Sequence, residues 1–172
     1  MYRNYVLSGT PLMNSKMIPF PIDDLVKGDI ILSYMSSEGY TSEYEQIMLD
    51  GYSPKYTEYP KIGSFLENKI IEISNINYLN LDCLCINLNL NNNNGESITY
   101  LPLNTKIYTN HSWSDIISEI PISIGDAYLN WKSRWKVICE IQKTKPINQP
   151  KLYEIITEKD NIVLESFIIK SQ

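Results

Sequence analysis

The chain is poor in the residues that build metal, disulfide and cofactor sites. Among its 172 residues there are three cysteines and one histidine. Cys83, Cys85 and Cys139 are odd in number and define no disulfide framework. The neighbouring pair Cys83 and Cys85 with a single histidine falls short of the four ligands a structural zinc requires, so no metal is expected. No stretch reads as a Gly-rich phosphate loop or a Ser-His-Asp set, and no cofactor is expected. No apolar run approaches the ~20 residues that cross a bilayer as a helix, and Met1 to Tyr5 leads into no long apolar stretch. Neither a membrane partner nor a secretory signal is therefore expected, which with the odd cysteine count favours a reducing, intracellular setting. Positive charge is short too: 15 Lys and Arg stand against 20 Asp and Glu, a net charge of −5. A sequence-independent nucleic-acid binder needs a basic face to displace counterions, so no nucleic-acid partner is expected. The local basic cluster Lys132, Arg134, Lys136, Lys143 and Lys145 reads as solvated strand ends.

Helix signals are nearly missing as well. A hydrophobic content of 43% and a mean hydropathy of −0.24 suit one globular domain over 1–172. The apolar residues alternate or come in short bursts rich in β-branched and aromatic types, which predicts an all-β chain. Lys69 to Ile76 reads as a strand with Ile71, Ile73 or Ile70 available to one face. Leu84 to Leu90 alternates cleanly, with Leu84, Ile86, Leu88 and Leu90 on one face, and Cys83 and Cys85 read as small core hydrophobes. Asn91 to Gly95 forms a hairpin loop and Glu96 to Leu103 returns. Further strands are expected at Trp135 to Ile141, Lys151 to Thr157 and up to Ile169. Ser114 to Ile120 and, more weakly, Ser42 to Asp50 are the short helix candidates. The stretch 36–61 carries Tyr40, Tyr44, Tyr52, Tyr56 and Tyr59 without a steady period, and reads as an excursion from the core. It either contacts a protein partner or packs on its own rings.

With only seven glycines in the chain, a shared context around two of them is informative. Leu25-Val26-Lys27-Gly28-Asp29-Ile30-Ile31-Leu32 and Ile122-Ser123-Ile124-Gly125-Asp126-Ala127-Tyr128-Leu129 place Gly-Asp in the same apolar frame, 97 positions apart (125 minus 28). Gly supplies backbone freedom and the Asp carboxylate can cap the free amides of a turn that feeds a strand. Two such turns predict a pseudo-duplicated β fold.

These turns, with the opening Leu7-Ser8-Gly9-Thr10-Pro11-Leu12 and the closing segment from Leu152-Tyr153-Glu154-Ile155 to Phe167-Ile168-Ile169, resemble the Hint family of hedgehog and intein self-processing domains. Thr109-Asn110-His111 sits near the family's Thr and His motif, and the similarity spans almost the full chain in order. The resemblance implies a Hint-like pseudo-two-fold β fold with short helices and a Tyr-rich insertion. It also implies a chemistry in which a first Cys, Ser or Thr attacks the preceding carbonyl while a His protonates the departing nitrogen. In inteins a last Asn then cyclises beside a His. About five residues precede the resemblance and almost none follow it, so no flanking segments to be joined are expected.

The nucleophile position falls on Val6 or Tyr5, which supply none or a poor one. Ser8 lies close by at the wrong spacing. The family's last His-Asn pair falls on Ser171 and Gln172, or on Lys170 and Ser171. The expected relict site is therefore His111 with Thr109, Asp160, Ser8 and Gln172. Carboxylate pairs such as Asp23-Asp24 and Glu43 with Glu45 read as solvated surface. The expected function is a catalytically degenerate intein-like domain retained as a binding or structural module with a protein partner. Two alternatives stay open: residual N–O acyl shift and self-cleavage near the start through Ser8 and His111, and an acidic inhibitor or immunity-type protein that neutralises a basic partner.

Overall fold

The protein is described by a computed structural model that covers residues 1–41, 47–48, 58–76, 82–87, 98–111, 122–138, 140–145 and 151–171. Both helix candidates, the Asn91 to Gly95 loop, Cys139 and Gln172 lie outside these residues, wholly or in large part. In chain order the strands begin with β1 (Tyr2–Leu7), β2 (Pro11–Met13) and β3 (Pro19–Pro21), then a 3-10 turn at Ile22–Asp24. Next come β4 (Ile30–Met35), β5 (Tyr40–Thr41), β6 (Ile47–Met48), β7 (Tyr59–Pro60), β8 (Ser64–Ile76) and β9 (Cys83–Asn87). The chain continues through β10 (Ile98–Pro102), β11 (Lys106–Ile107), β12 (Ala127–Leu129), β13 (Trp135–Val137) and β14 (Glu140–Thr144). It closes with β15 (Leu152–Thr157), β16 (Asn161–Val163) and β17 (Ile168–Lys170). The all-β expectation holds.

The Gly-Asp repeat is realised bond for bond. In the first copy Gly28 N donates to Ile70 O (2.9 Å), Ile70 N to Asp29 O (2.9 Å) and Asp29 N to Val26 O (3.1 Å). In the second, Gly125 N donates to Ile138 O (3.0 Å), Ile138 N to Asp126 O (2.8 Å) and Asp126 N to Ser123 O (3.1 Å). Each Asp carboxylate caps its turn, Oδ2 accepting from Val26 N at 2.9 Å or from Ser123 N at 3.0 Å. Both glycines have φ +93°, a region that side chains with a Cβ avoid.

A second repeat is less visible in the sequence. Thr10 N donates to Leu7 O and Thr105 N to Pro102 O, both at 3.2 Å, around Gly9 (φ +81°) and Asn104 (φ +69°). Asn tolerates the left-handed region better than most residues, so it stands in for glycine. The bridges Asn14–Ile31 and Thr109–Tyr128 are likewise equivalent.

These repeats organise two like sheets. One has the order β1-β15-β8-β4. Its counterpart is β10-β9-β14, with β13 and β12 paired beyond Ile138. Ile70 and Ile138 mark where the long central strand changes neighbour: β8 pairs β4 before Ile70 and β15 after it, as β13 pairs β12 and β14 pairs β9. The trailing strand of each half crosses over. β9 follows the first half and joins the second sheet, while β15 follows the second half and joins the first. Both sheets contribute to one apolar core that includes Val6, Ile31, Ile70, Tyr128, Trp135, Ile138 and Phe167. A smaller cluster of Leu7, Cys83 and Leu152, flanked by Tyr5 and Tyr100, lies where β1 meets β10.

The structure refines several expectations. β8 starts at Ser64, five residues before Lys69, and of its isoleucines Ile70 is the fully buried one. Cys83 is buried and Cys85 is half-buried. In the Tyr-rich excursion, β5 pairs β7 across the base. Tyr59 is core, 1% exposed and 5.6 Å from the Trp135 ring, whereas Tyr40 is 40% exposed. Tyr44, Tyr52 and Tyr56 lie outside the described residues. Asp23 is exposed yet structural: its Oδ2 accepts from Gly9 N (2.6 Å) and its Oδ1 from the Tyr153 hydroxyl (3.1 Å).

Asn161 fastens β16 to β4 with a side-chain amide that imitates a strand. Its Oδ1 accepts from Tyr34 N at 2.7 Å and its Nδ2 donates to Tyr34 O at 2.9 Å. Asn68 adds a second clamp, donating to Asn161 O (3.0 Å) and accepting from Lys159 N (3.0 Å). Asn161→Ala leaves a buried N–H and a buried C=O of Tyr34 without these partners. An unsatisfied buried group costs about 1–3 kcal/mol, so the unfolding free energy should drop by roughly 3 kcal/mol in a urea titration.

Candidate functional site

His111 stands at the end of the Thr109-Asn110-His111 segment, which runs antiparallel to β12. The bridge Thr109–Tyr128 and the bond from Asn110 N to Ala127 O (3.1 Å) set the register, and the next cross-strand pair is His111 with Asp126. His111 Nε2 lies 2.8 Å from Asp126 Oδ1, with the His side chain 44% exposed and the Asp side chain 4%. His111 N donates to Thr109 Oγ1 at 3.2 Å, and Asn110 Oδ1 accepts from Ala127 N at 2.8 Å. The backbone around the imidazole is thus held from both sides, and the ring rests on a buried carboxylate that is already the cap of the Gly-Asp turn.

Asp160 and Ser8 line two clefts that do not include His111. Asp160 accepts from Ser171 N through its carbonyl (2.8 Å) and from Asn161 Nδ2 through Oδ1 (3.2 Å). It lines a cleft of about 380 Å³ together with Tyr2, Ser33, Ser36 and Lys159. The beginning and the end of the described chain therefore meet at Asp160. Lys106 of β11 faces Lys170 of β17, so the chain moves away from that meeting point as it runs on to His111. Ser8 belongs to a different cleft of about 250 Å³, with Thr10, Thr99, Tyr100, Glu165 and Ser166. Its Oγ accepts from Lys151 N at 3.1 Å, and its N donates to Lys151 O at 2.8 Å. His111 lines neither cleft.

The nucleophile position lies within paired strand. β1 is laddered to β15 from Tyr2 opposite Thr157 to Leu7 opposite Leu152. Val6 is 2% exposed. The Tyr5 hydroxyl donates to Glu154 Oε2 at 3.0 Å, and that carboxylate holds the phenol above its ordinary value near 10.

Asp126 as partner of His111 is what reading the sequence missed. The Gly-Asp turn was legible, but the pairing of 109–111 with 126–128 was not, because residues 112–121 separate the two segments. Once that register is known, opposite residues sum to 237, and 111 meets 126.

A β fold in two like halves, with trailing strands exchanged and the two ends of the described chain adjacent, is the fold of Hint domains. Its likeness is to inteins in particular. The chain superimposes on a bacterial intein-like domain from Clostridium thermocellum with a TM-score of 0.62 at 13% identity, covering 98% of this chain and 99% of that one. A DnaB intein from Synechocystis sp. PCC 6803 gives 0.58 at 15% identity, covering 98% and 99%. The Ssp DnaB mini-intein variant M86 gives 0.58 at 14%, covering 99% and 96%. No family model matches the chain, and no curated protein matches it. The chain carries an intein-like fold.

The cysteines supply no alternative nucleophile at the described positions. Burial pushes the Cys83 thiol up to about 11, with the Asp82 charge adding to it, and burial raises Cys85 as well. At pH 8 about one Cys83 in a thousand is then thiolate. Differential alkylation at pH 8 followed by peptide mass analysis should leave Cys83 unlabelled in the folded protein and labelled after denaturant is added.

Proposed function

We propose that this intein-like domain has lost the N-terminal acyl shift and serves as a binding or structural module. One observation carries the reading: the nucleophile position is a buried valine or a bonded phenol. In an N–O or N–S acyl shift, a heteroatom on Cβ attacks the preceding carbonyl through a five-membered ring. Val6 carries only methyl groups on Cβ. The oxygen of Tyr5 sits at the far end of a rigid ring, cannot close such a ring, and is committed to Glu154. His111 can move a proton but cannot provide the electron pair that attacks, so acyl transfer has no starting step.

The Ser8 route is the second reading. Ser8 does carry an oxygen on Cβ, and the bond before it would be the one to shift. Against this route, Ser8 Oγ accepts from Lys151 N, the Leu7 carbonyl accepts from Thr10 N (3.2 Å), and His111 does not line the cleft that contains Ser8. The inhibitor reading has only the net charge of −5 in its favour, since the chain carries the duplicated fold. We place the contact with a protein partner on the excursion 36–61, where Tyr40 is exposed.

Intact-mass spectrometry of freshly purified protein tests the loss of activity. The mass should correspond to the full 19.9 kDa chain and be unchanged by hydroxylamine. Loss of the segment before Val6 or before Ser8, or cleavage that appears only with hydroxylamine, overturns the proposal.

A further inference from the structure

β3 is an exposed apolar strand whose outer edge carries no hydrogen-bond donor. Pro19, Phe20 and Pro21 are all exposed, and Met17 and Ile18 extend the apolar strip to the tip of the β2–β3 hairpin. Among the described residues β3 pairs only with β2. An exposed apolar edge strand is ordinarily a template for pairing with another chain, through its outward N–H and C=O groups. The end strand β14 is built differently: Glu140, Gln142 and Lys143 are exposed there, and charge discourages such pairing.

The ladder register decides which groups of β3 face outward. Leu12 stands opposite Phe20, flanked by Met13 opposite Pro19 and Pro11 opposite Pro21. Bonded and unbonded pairs alternate in an antiparallel ladder. Asn14 N donates to Ile18 O at 3.1 Å and Ile22 N to Thr10 O at 2.9 Å, so Leu12 and Phe20 form the bonded pair between them. Pro11, Met13, Pro19 and Pro21 therefore turn their backbone groups away from the hairpin. On the β2 side this is seen directly, where Pro11 O accepts from Glu165 N at 3.0 Å. On the β3 side the two outward residues are the prolines, which have no N–H. The amides of the tip are used inside the hairpin: Lys16 N and Ile18 N donate to Asn14 Oδ1 (2.9 and 3.0 Å), and Met17 N to Asn14 O (3.0 Å). From Lys16 to Ile22 every backbone donor is thus either missing or engaged.

We propose that Pro19 and Pro21 close the β3 edge to strand addition, so that the apolar strip of Met17, Ile18 and Phe20 stays exposed without drawing two copies of the chain together through β pairing. An added strand would exchange two backbone bonds with each outward residue. Proline withdraws the bond this chain would donate at both positions, and its ring occupies the space where the incoming carbonyl would sit. The proposal stands apart from the loss of cleavage, since β3 contains none of the site residues.

Substituting both prolines by threonine restores two outward N–H groups without adding apolar surface. Sedimentation velocity should show the wild type at the monomer mass of 19.9 kDa over a wide concentration range. The Pro19→Thr/Pro21→Thr protein should shift with concentration towards twice that mass or beyond. The amides introduced at positions 19 and 21 should become protected from hydrogen exchange as it does so. A folded double variant that remains monomeric overturns the proposal, as does association in which the two introduced amides exchange freely. If the double variant fails to fold by circular dichroism, the single variants Pro19→Thr and Pro21→Thr, each restoring one donor, decide by the same two readouts.

Discussion

The grip of each Gly-Asp turn on the long strand across from it organises this molecule. The Gly N–H and the Asp carbonyl clasp one isoleucine, Ile70 or Ile138, from both of its backbone groups. Up to that residue the long strand pairs with the strand that follows the turn; beyond it, that strand has ended and an edge is open. An open edge in a protein interior must find a partner, because unpaired backbone groups away from water are costly. The partner is supplied by the other half of the chain, β15 for the first sheet and β9 for the second. Strand exchange, adjacent chain ends and a shared core all follow from where these two turns stop their strands.

The backbone devices of the fold include the Gly9-Thr10 turn, its Asn104-Thr105 twin and the clamp of Asn161 on Tyr34. Val6 contributes to the core. A buried valine stabilises the sheet through removal of apolar surface from water, about 25 cal/mol per Å², whereas a hydroxyl or thiol there would need a hydrogen-bond partner or an apolar site of its own. The support of the imidazole is structural. Asp126 is already required to cap a turn, and one of its oxygens is left over.

Legibility in the sequence followed the range of the interaction. The Gly-Asp turns could be read because a positive φ demands glycine and the cap is three residues away, both local constraints. The Gly9 and Asn104 turns were harder, since the two halves meet the same backbone demand with different residues. Tyr59 could not be told from Tyr40 by composition, and packing against Trp135 separates them. Asp23 read as solvated surface because its partners, Gly9 N and the Tyr153 hydroxyl, come from opposite ends of the chain. Asp160 and His111 share a motif order in the sequence, yet they keep different company in space.

The amino-acid order by itself determined the β class and the two turns, since each is a matter of residue type within a few positions. Tertiary structure alone decided which strands were exchanged, which tyrosines were core and that Asp126 is the carboxylate beside His111. Those outcomes depend on register between distant segments. A strand's side chains alternate with a period of two, so a slip of one residue would turn Asp126 to the opposite face and leave the imidazole without it.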